Sequence, residues 1–320
     1  MWLAAAIVAS NSARAQSWNM YGGSTNLEIQ YTGGALNSVP GGVPADRAAL
    51  IDINILGNNI PGMTIDTGST GIAISSNYLP SLAGYTPLGP GTINYDSSGN
   101  SPSGTFYELP VSLIGGTSGG SVATGSTTVK VLVVTSDSTT RYFGIGNNRN
   151  NVYSGTINPS LTIAQNVAQG NLTQVSAVGM NPLINVSVNS TALTHQGYVV
   201  MNDRIIVGLT ATNNSYSFVQ LTPDAANGPS LWNGIPVSLA VGTGAAGTGT
   251  ILHDTGINYA FLTPFGQNGE IVNVAMPGAS PTGAFYSFAI ERSDLQCATQ
   301  ASNSMTPCYV AGSTSSTPFL

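Results

Sequence analysis

The sequence predicts an all-β protein of two lobes with a cleft between them. Three observations carry that expectation. Short β-branched apolar runs recur between turn-forming clusters, several runs alternate apolar with polar residues, and one strand-turn-strand pattern occurs twice, about a lobe's length apart. A chain of 320 residues is long enough for two lobes, each with its own core.

The apolar runs cover residues 49–56, 63–75, 129–135, 184–188, 198–207, 216–221, 235–241 and 250–263. Val, Ile, Thr and aromatic side chains pack well on a pleated surface, and the Gly, Pro, Asn, Asp and Ser between them supply turns. Ile51-Asp52-Ile53-Asn54-Ile55 alternates strictly, which sets one face of its strand on a core and the other toward solvent. The glycine-rich stretches 115–125 and 242–249 are expected as exposed hairpin loops. A single helix is expected over 161–169, with a loop carrying an apolar side as the alternative. The first lobe is expected over 16–209 and the second over 210–320.

Charged residues make up 6% of the chain, thirteen acids against seven bases, for a net charge of -6, and Lys130 is the one lysine. Without a basic stripe to neutralise phosphates, nucleic acid is excluded as a partner. The apolar run 2–9 is followed by Ser12-Ala13-Arg14-Ala15 and Gln16, a small-residue cleavage pattern. Residues 1–15 therefore read as a signal peptide, with its start inside a longer leader and an N-terminal strand or helix as the alternative. The run is too short to span a bilayer. Export leads to a secreted or periplasmic location, where Cys297 and Cys308 are expected to form a disulfide, with two free thiols as the alternative. His195 and His253 lack ligand spacing to the cysteines, so no metal is expected, nor any other cofactor. A Gly-x-Gly-x-x-Gly pattern at 242–247 runs into Thr-Gly-Thr-Ile-Leu, a strand, so no helix N-terminus awaits a dinucleotide pyrophosphate.

The repeated pattern carries the chemistry. Met63-Thr64-Ile65-Asp66-Thr67-Gly68-Ser69 is echoed by Ile251-Leu252-His253-Asp254-Thr255-Gly256-Ile257, 188 residues later. Both resume apolar character afterwards, in Ile72-Ala73-Ile74 and Ala260-Phe261-Leu262. Two such lobes can face each other across a pseudo-twofold axis. Amide hydrolysis needs a nucleophilic water and a proton for the leaving nitrogen, and two carboxyls a few Å apart supply both by sharing one proton. Glycine after Asp-Thr permits a sharp turn and close approach of backbone N–H groups to the carboxyl. The threonine hydroxyl can bond the backbone of the opposite turn. The plainer alternative is a pair of turn aspartates in a β-rich binding protein.

Ile65-Asp66-Thr67-Gly68-Ser69-Thr70-Gly71, followed by Ile72-Ala73-Ile74, resembles the N-lobe signature of pepsin-like aspartic peptidases, and His253-Asp254-Thr255-Gly256 resembles the C-lobe signature. The resemblance, to the bacterial branch of that family, implies the two-lobed acid protease fold with its active site in the cleft. It implies Asp66 and Asp254 as the catalytic pair, supported by Thr67, Gly68, Ser69, Thr255 and Gly256, with Ser69 bonded to the outer oxygen of Asp66. Within Thr92-Ile93-Asn94-Tyr95, Tyr95 would be the tyrosine of the flap that closes over substrate, an ordinary strand tyrosine being the alternative. Tyr142-Phe143-Gly144-Ile145-Gly146 resembles the hydrophobic-hydrophobic-Gly segment that threads the first lobe, and 197–208 resembles the stretch leading toward the second. The implied activity is endopeptidase action of a monomer on extended peptides or unfolded proteins, without a cofactor.

The chain departs from the family in three places. Ile257 stands where Ser or Thr is usual, and His253 where an aliphatic residue is usual. The stretch after Asp254 is short for a C-lobe, so that lobe is expected to be incomplete, with Val310-Ala311-Gly312 nearest to a second Gly segment. An inactive pepsin-like binding protein and a secreted β-rich structural or adhesive protein are the competing readings.

Overall fold

The computed structural model describes residues 21–23, 25–34, 49–95, 99–146, 149, 151–216, 218–219, 221–222, 233–251, 253–255, 259–262, 269–277, 279–280, 284–289 and 308–311; the expected signal peptide lies outside them. The chain is all-β, as expected. From the N-terminal side come β1 (Leu27–Gln30), β2 (Leu50–Ile55), β3 (Asn58–Asp66), β4 (Thr70–Ser75) and β5 (Pro87–Ile93). Next are two long strands, β6 (Ser103–Ser118) and β7 (Ser121–Val134), then β8 (Arg141–Ile145), β9 (Val152–Gly155) and the helix α1 (Ile163–Ala168). Short strands β10 (Leu172–Gln174), β11 (Ser187–Val188), β12 (Thr191–Ala192), β13 (Tyr198–Val200) and β14 (Arg204–Val207) complete one 14-stranded sheet.

Separate sheets are built by β15 (Phe218–Val219), β16 (Ile235–Val241), β17 (Gly247–Ile251), β18 (Tyr259–Leu262), β19 (Ile271–Met276), β20 (Ala279–Ser280), β21 (Ala284–Ala289) and β22 (Cys308–Ala311). The largest of these runs in the order β17-β16-β19-β21. Val237, Leu239, Ile251, Val272 and Val274 form a core there, apart from the larger core of the first sheet. The two-lobed expectation therefore holds at the level of sheets and cores.

Alternation explains β2: Ile51, Ile53 and Ile55 are fully buried while Asp52 and Asn54 are half-exposed. The link to β3 is Leu56-Gly57, with φ of 56° and 84°, the left-handed pair that a two-residue hairpin requires. Run 63–75 breaks into β3 and β4, and these do not pair with each other. Instead β8 threads between them, parallel to β3 and antiparallel to β4. The chain from Asp66 to Thr70 must therefore cross the end of β8, a gap of two strand spacings, about 10 Å. β4, flanked by β8 and β7, has all six residues buried.

Glycines make that crossing possible. A side chain on Gly144 would meet Gly71 O and Ser69 Oγ, each at 2.7 Å, and one on Gly146 would meet Thr67 O at 2.6 Å and Ser69 O at 2.7 Å. Here the segment 142–146 lies directly under the first Asp-Thr-Gly turn.

Several expectations are corrected. Stretch 115–125 is no loop: β6 and β7 run through it, paired at Gly116↔Ala123 and Ser118↔Ser121, and only Gly119-Gly120 turns. Gly116 and Gly125 make room for β1, because a Cβ on either would strike Leu27, at 2.6 and 2.7 Å respectively. Similarly, 242–249 turns only near its start and becomes β17 from Gly247. Run 184–188 keeps two strand residues, and 198–207 is the hairpin β13–β14. The helix forms, trimmed to 163–168 by a capping box in which Thr162 and Gln165 bond each other's backbone N–H. Among the described residues no helix is long and apolar enough to cross a membrane.

Candidate active site

Asp66 ends β3 and is 3% exposed. Its Oδ1 accepts the N–H of Gly68 at 2.7 Å and of Ser69 at 3.2 Å, and the Ser69 hydroxyl donates to Oδ2. Three donors thus fix the plane of the carboxyl. They come from the turn that β8 forces on the chain.

The second turn follows β17 and precedes β18 as the first lies between β3 and β4. Each of β4 and β18 has a later strand as parallel neighbour, β7 and β22 respectively, and β22 includes Val310-Ala311. Thr67 N donates to Thr255 Oγ1 at 3.2 Å, and Thr255 N donates to Thr67 Oγ1 at 3.0 Å. The hydroxyls in turn donate to backbone of the other turn, Thr67 Oγ1 to His253 O at 2.6 Å and Thr255 Oγ1 to Ile65 O at 2.9 Å. These four bonds are reciprocal: each donor and acceptor in one turn is matched by its counterpart in the other.

They bring both carboxyls to Gly68. Asp66 takes the Gly68 N–H, while the Asp254 carboxyl packs on its Cα so closely that an added Cβ would lie 2.6 Å from Asp254 Oδ1. Replacing Thr67 or Thr255 by Val strands one N–H and one C=O, and each change is expected to lower stability by about 1–3 kcal/mol. In a double-mutant cycle read by denaturant unfolding, the pair should couple by about 0.5–3 kcal/mol. Additive single effects would mean that the turns do not grip each other.

Tyr95 lies where the β5–β6 hairpin narrows, bridged to Asn100, and is 6% exposed. Its ring rests on Tyr142 at 4.4 Å between centroids and 33° between planes, within a cluster that includes Ile93, Phe106 and Met180. Burial pushes the Tyr95 phenol well above the usual range, with the charge of Asp66 and then Tyr142 adding to the effect and the Ser69 hydroxyl opposing it. The phenol therefore stays protonated, a donor beside the first turn. His253 keeps an exposed face yet is crowded enough that desolvation holds its imidazole below the usual range, so it stays neutral further into acid than an ordinary histidine.

Sequence reasoning missed Arg149. It sits in the polar run after β8, half-buried, where burial lowers its guanidinium and Asp254 and then Asp66 raise it. A single base within asparagines reads as a solvated turn; only the threading of β8 brings it within electrostatic range of the carboxyls. A polar hollow of about 450 Å³, bordered by Thr64, Asn100, Ser101, Asp137, Arg141 and Tyr142, has no Asp-Thr-Gly residue in its wall. Gly256, Ile257 and Cys297 lie outside the described residues, so the expected Cys297–Cys308 disulfide does too.

Fold and site together define an all-β, two-lobed protein in which Thr67 and Thr255, from two Asp-Thr-Gly sequences, bond each other reciprocally. No family model and no curated protein matches the chain. Among solved structures it is similar to the aspartic proteinase from Irpex lacteus, at 14% identity and a TM-score of 0.49, over 92% of this chain and 89% of that one. Likeness at this level carries no residue roles across.

Proposed function

We propose that this chain is an aspartic-type endopeptidase of the pepsin-like kind, with Asp66 and Asp254 as its catalytic carboxyls. The observation that carries the reading is the reciprocal Thr67–Thr255 bonding, with both carboxyls converging on Gly68. Two acids so close do not both ionise cheaply, so over a range of pH they hold one proton between them, as aspartic proteases are known to do. The ionised member takes a proton from a water lying between them as the oxygen attacks the peptide carbonyl. The protonated member polarises that carbonyl, and a proton then passes to the leaving nitrogen. The apparent pKa values belong to the pair.

An extended peptide lying between the lobes would be held by strand-like backbone hydrogen bonds, and the few charged residues of the chain favour apolar subsites. Export as a monomer, with removal of residues 1–15 and a Cys297–Cys308 bridge, belongs to the same proposal. The full chain incubated with a mixed peptide library from acid to neutral pH should cleave within peptides, fastest in acid. Absence of cleavage over the whole range, with tight retention of the same peptides, would transfer the site to an inactive binding protein.

A further inference from the structure

The backbone around Arg149 is tied to the first turn at several points. Gly146 N donates to Ser69 O at 2.7 Å, Thr70 Oγ1 donates to Gly146 O at 2.7 Å, and Arg149 N donates to Thr70 Oγ1 at 2.8 Å. Asn181 Nδ2 holds Ile145 O at 2.5 Å, and Asn151 N closes on Arg149 O at 2.8 Å. The Arg149 stem lies over Gly146, its Cγ 2.8 Å from where a Cβ would be, on the same side as Thr67 O and Ser69 O. Glycine at 146 therefore leaves room for the arginine stem against the first turn, and its guanidinium lies within electrostatic range of Asp254 and Asp66.

Among the described residues, the titratable and charged groups placed about the two carboxyls are Arg149 from the segment after β8, Tyr95 from the β5–β6 hairpin, with Tyr142 of β8 stacked on its ring, and His253 from the second turn. The Tyr95 phenol is a neutral donor in acid, and His253 resists protonation. Arg149 stays charged throughout any pH at which peptides are handled. Its interaction with Asp254 and Asp66 offsets part of what burial takes from its own charge.

Resting on the peptidase reading, we propose that Arg149 is a positioning residue whose fixed guanidinium moves the singly protonated state of the Asp66–Asp254 pair to lower pH. The sign follows from the charge. A nearby cation favours carboxylate over carboxylic acid, so the first and the second proton of the pair both leave at lower pH than they would without it. Activity then survives in stronger acid and fades sooner toward neutrality.

The test compares the full chain with Arg149→Met, Arg149→Gln and Arg149→Lys. In the pH profile of kcat/KM, loss of the charge should carry both limbs upward by about one pH unit. The lysine variant should keep them near the parent's positions. Carboxyl ¹³C NMR titration of Asp66 and Asp254 should show the same displacement without any need for turnover. Cleavage with limbs and titrations unmoved in Met and Gln variants overturns the proposal, even if the rate falls, since a purely structural arginine would lower rate alone. Titrations that move in a chain that cuts no peptide would sink the peptidase reading and leave this one standing. Should Arg149→Met not fold, Arg149→Gln, which keeps a polar tip, decides the matter.

Discussion

Asp66→Asn protein should fold as the parent does and cleave peptides about 10³-fold more slowly or worse. The rate expectation follows from chemistry: acid–base assistance by a positioned side chain is worth about 10²–10⁴-fold. An amide can neither take the proton from water nor share one with Asp254. The folding expectation follows from the hydrogen bonds. Asparagine Oδ1 can accept the Gly68 and Ser69 N–H groups as Asp66 Oδ1 does, and its amide nitrogen can donate to the Ser69 hydroxyl, which reverses its role. Stability should thus change by about 1 kcal/mol or less. Asp254→Asn should lose as much, and the double variant scarcely more, because groups acting as one unit are not additive. Steady-state cleavage of a single peptide, beside thermal unfolding of each variant, gives both numbers. Retained cleavage in either single variant would move the chemistry away from this pair.

Gly68→Ala should be nearly as damaging, for a different reason. Gly68 is not in the left-handed region, so alanine meets no backbone penalty there. Its methyl would instead land on the Asp254 carboxyl, which the reciprocal threonine bonds hold in place. Either the carboxyl shifts by about 1 Å, which costs on the order of 10²-fold in rate, or the turns part and stability falls by about 1–3 kcal/mol. Gly247→Ala is the control: nothing lies near its absent side chain, and a change within about 0.5 kcal/mol is expected. If Gly68→Ala cleaves as the parent does, the Asp254 carboxyl does not rest where the crowding against Gly68 puts it.

The strands were legible wherever one strand's own residues decide its burial. Alternation in 51–55 is a local property, and β2 follows it residue by residue. The long arms β6 and β7 are not legible around 115–125, because a glycine-rich stretch carries the local signature of a turn. What keeps those glycines extended is their pairing across the sheet and the Leu27 side chain packed against them, both supplied by residues far away in the chain. Likewise Gly144 and Gly146 stood out in the sequence as a segment, but their reason for being glycine is the turn lying on top of them.

Sequence alone determined that the chain is all-β, that Asp-Thr-Gly occurs twice between apolar strands, and that each threonine offers a hydroxyl for the opposite turn. Those are matters of residue type and short-range order. Only the tertiary structure decided that the two turns meet, that Gly68 is the point on which both carboxyls converge, and that Arg149 feels the charge of both. The reason is topological: β8 inserts between β3 and β4, so the chain around it is fixed by partners that no local pattern names.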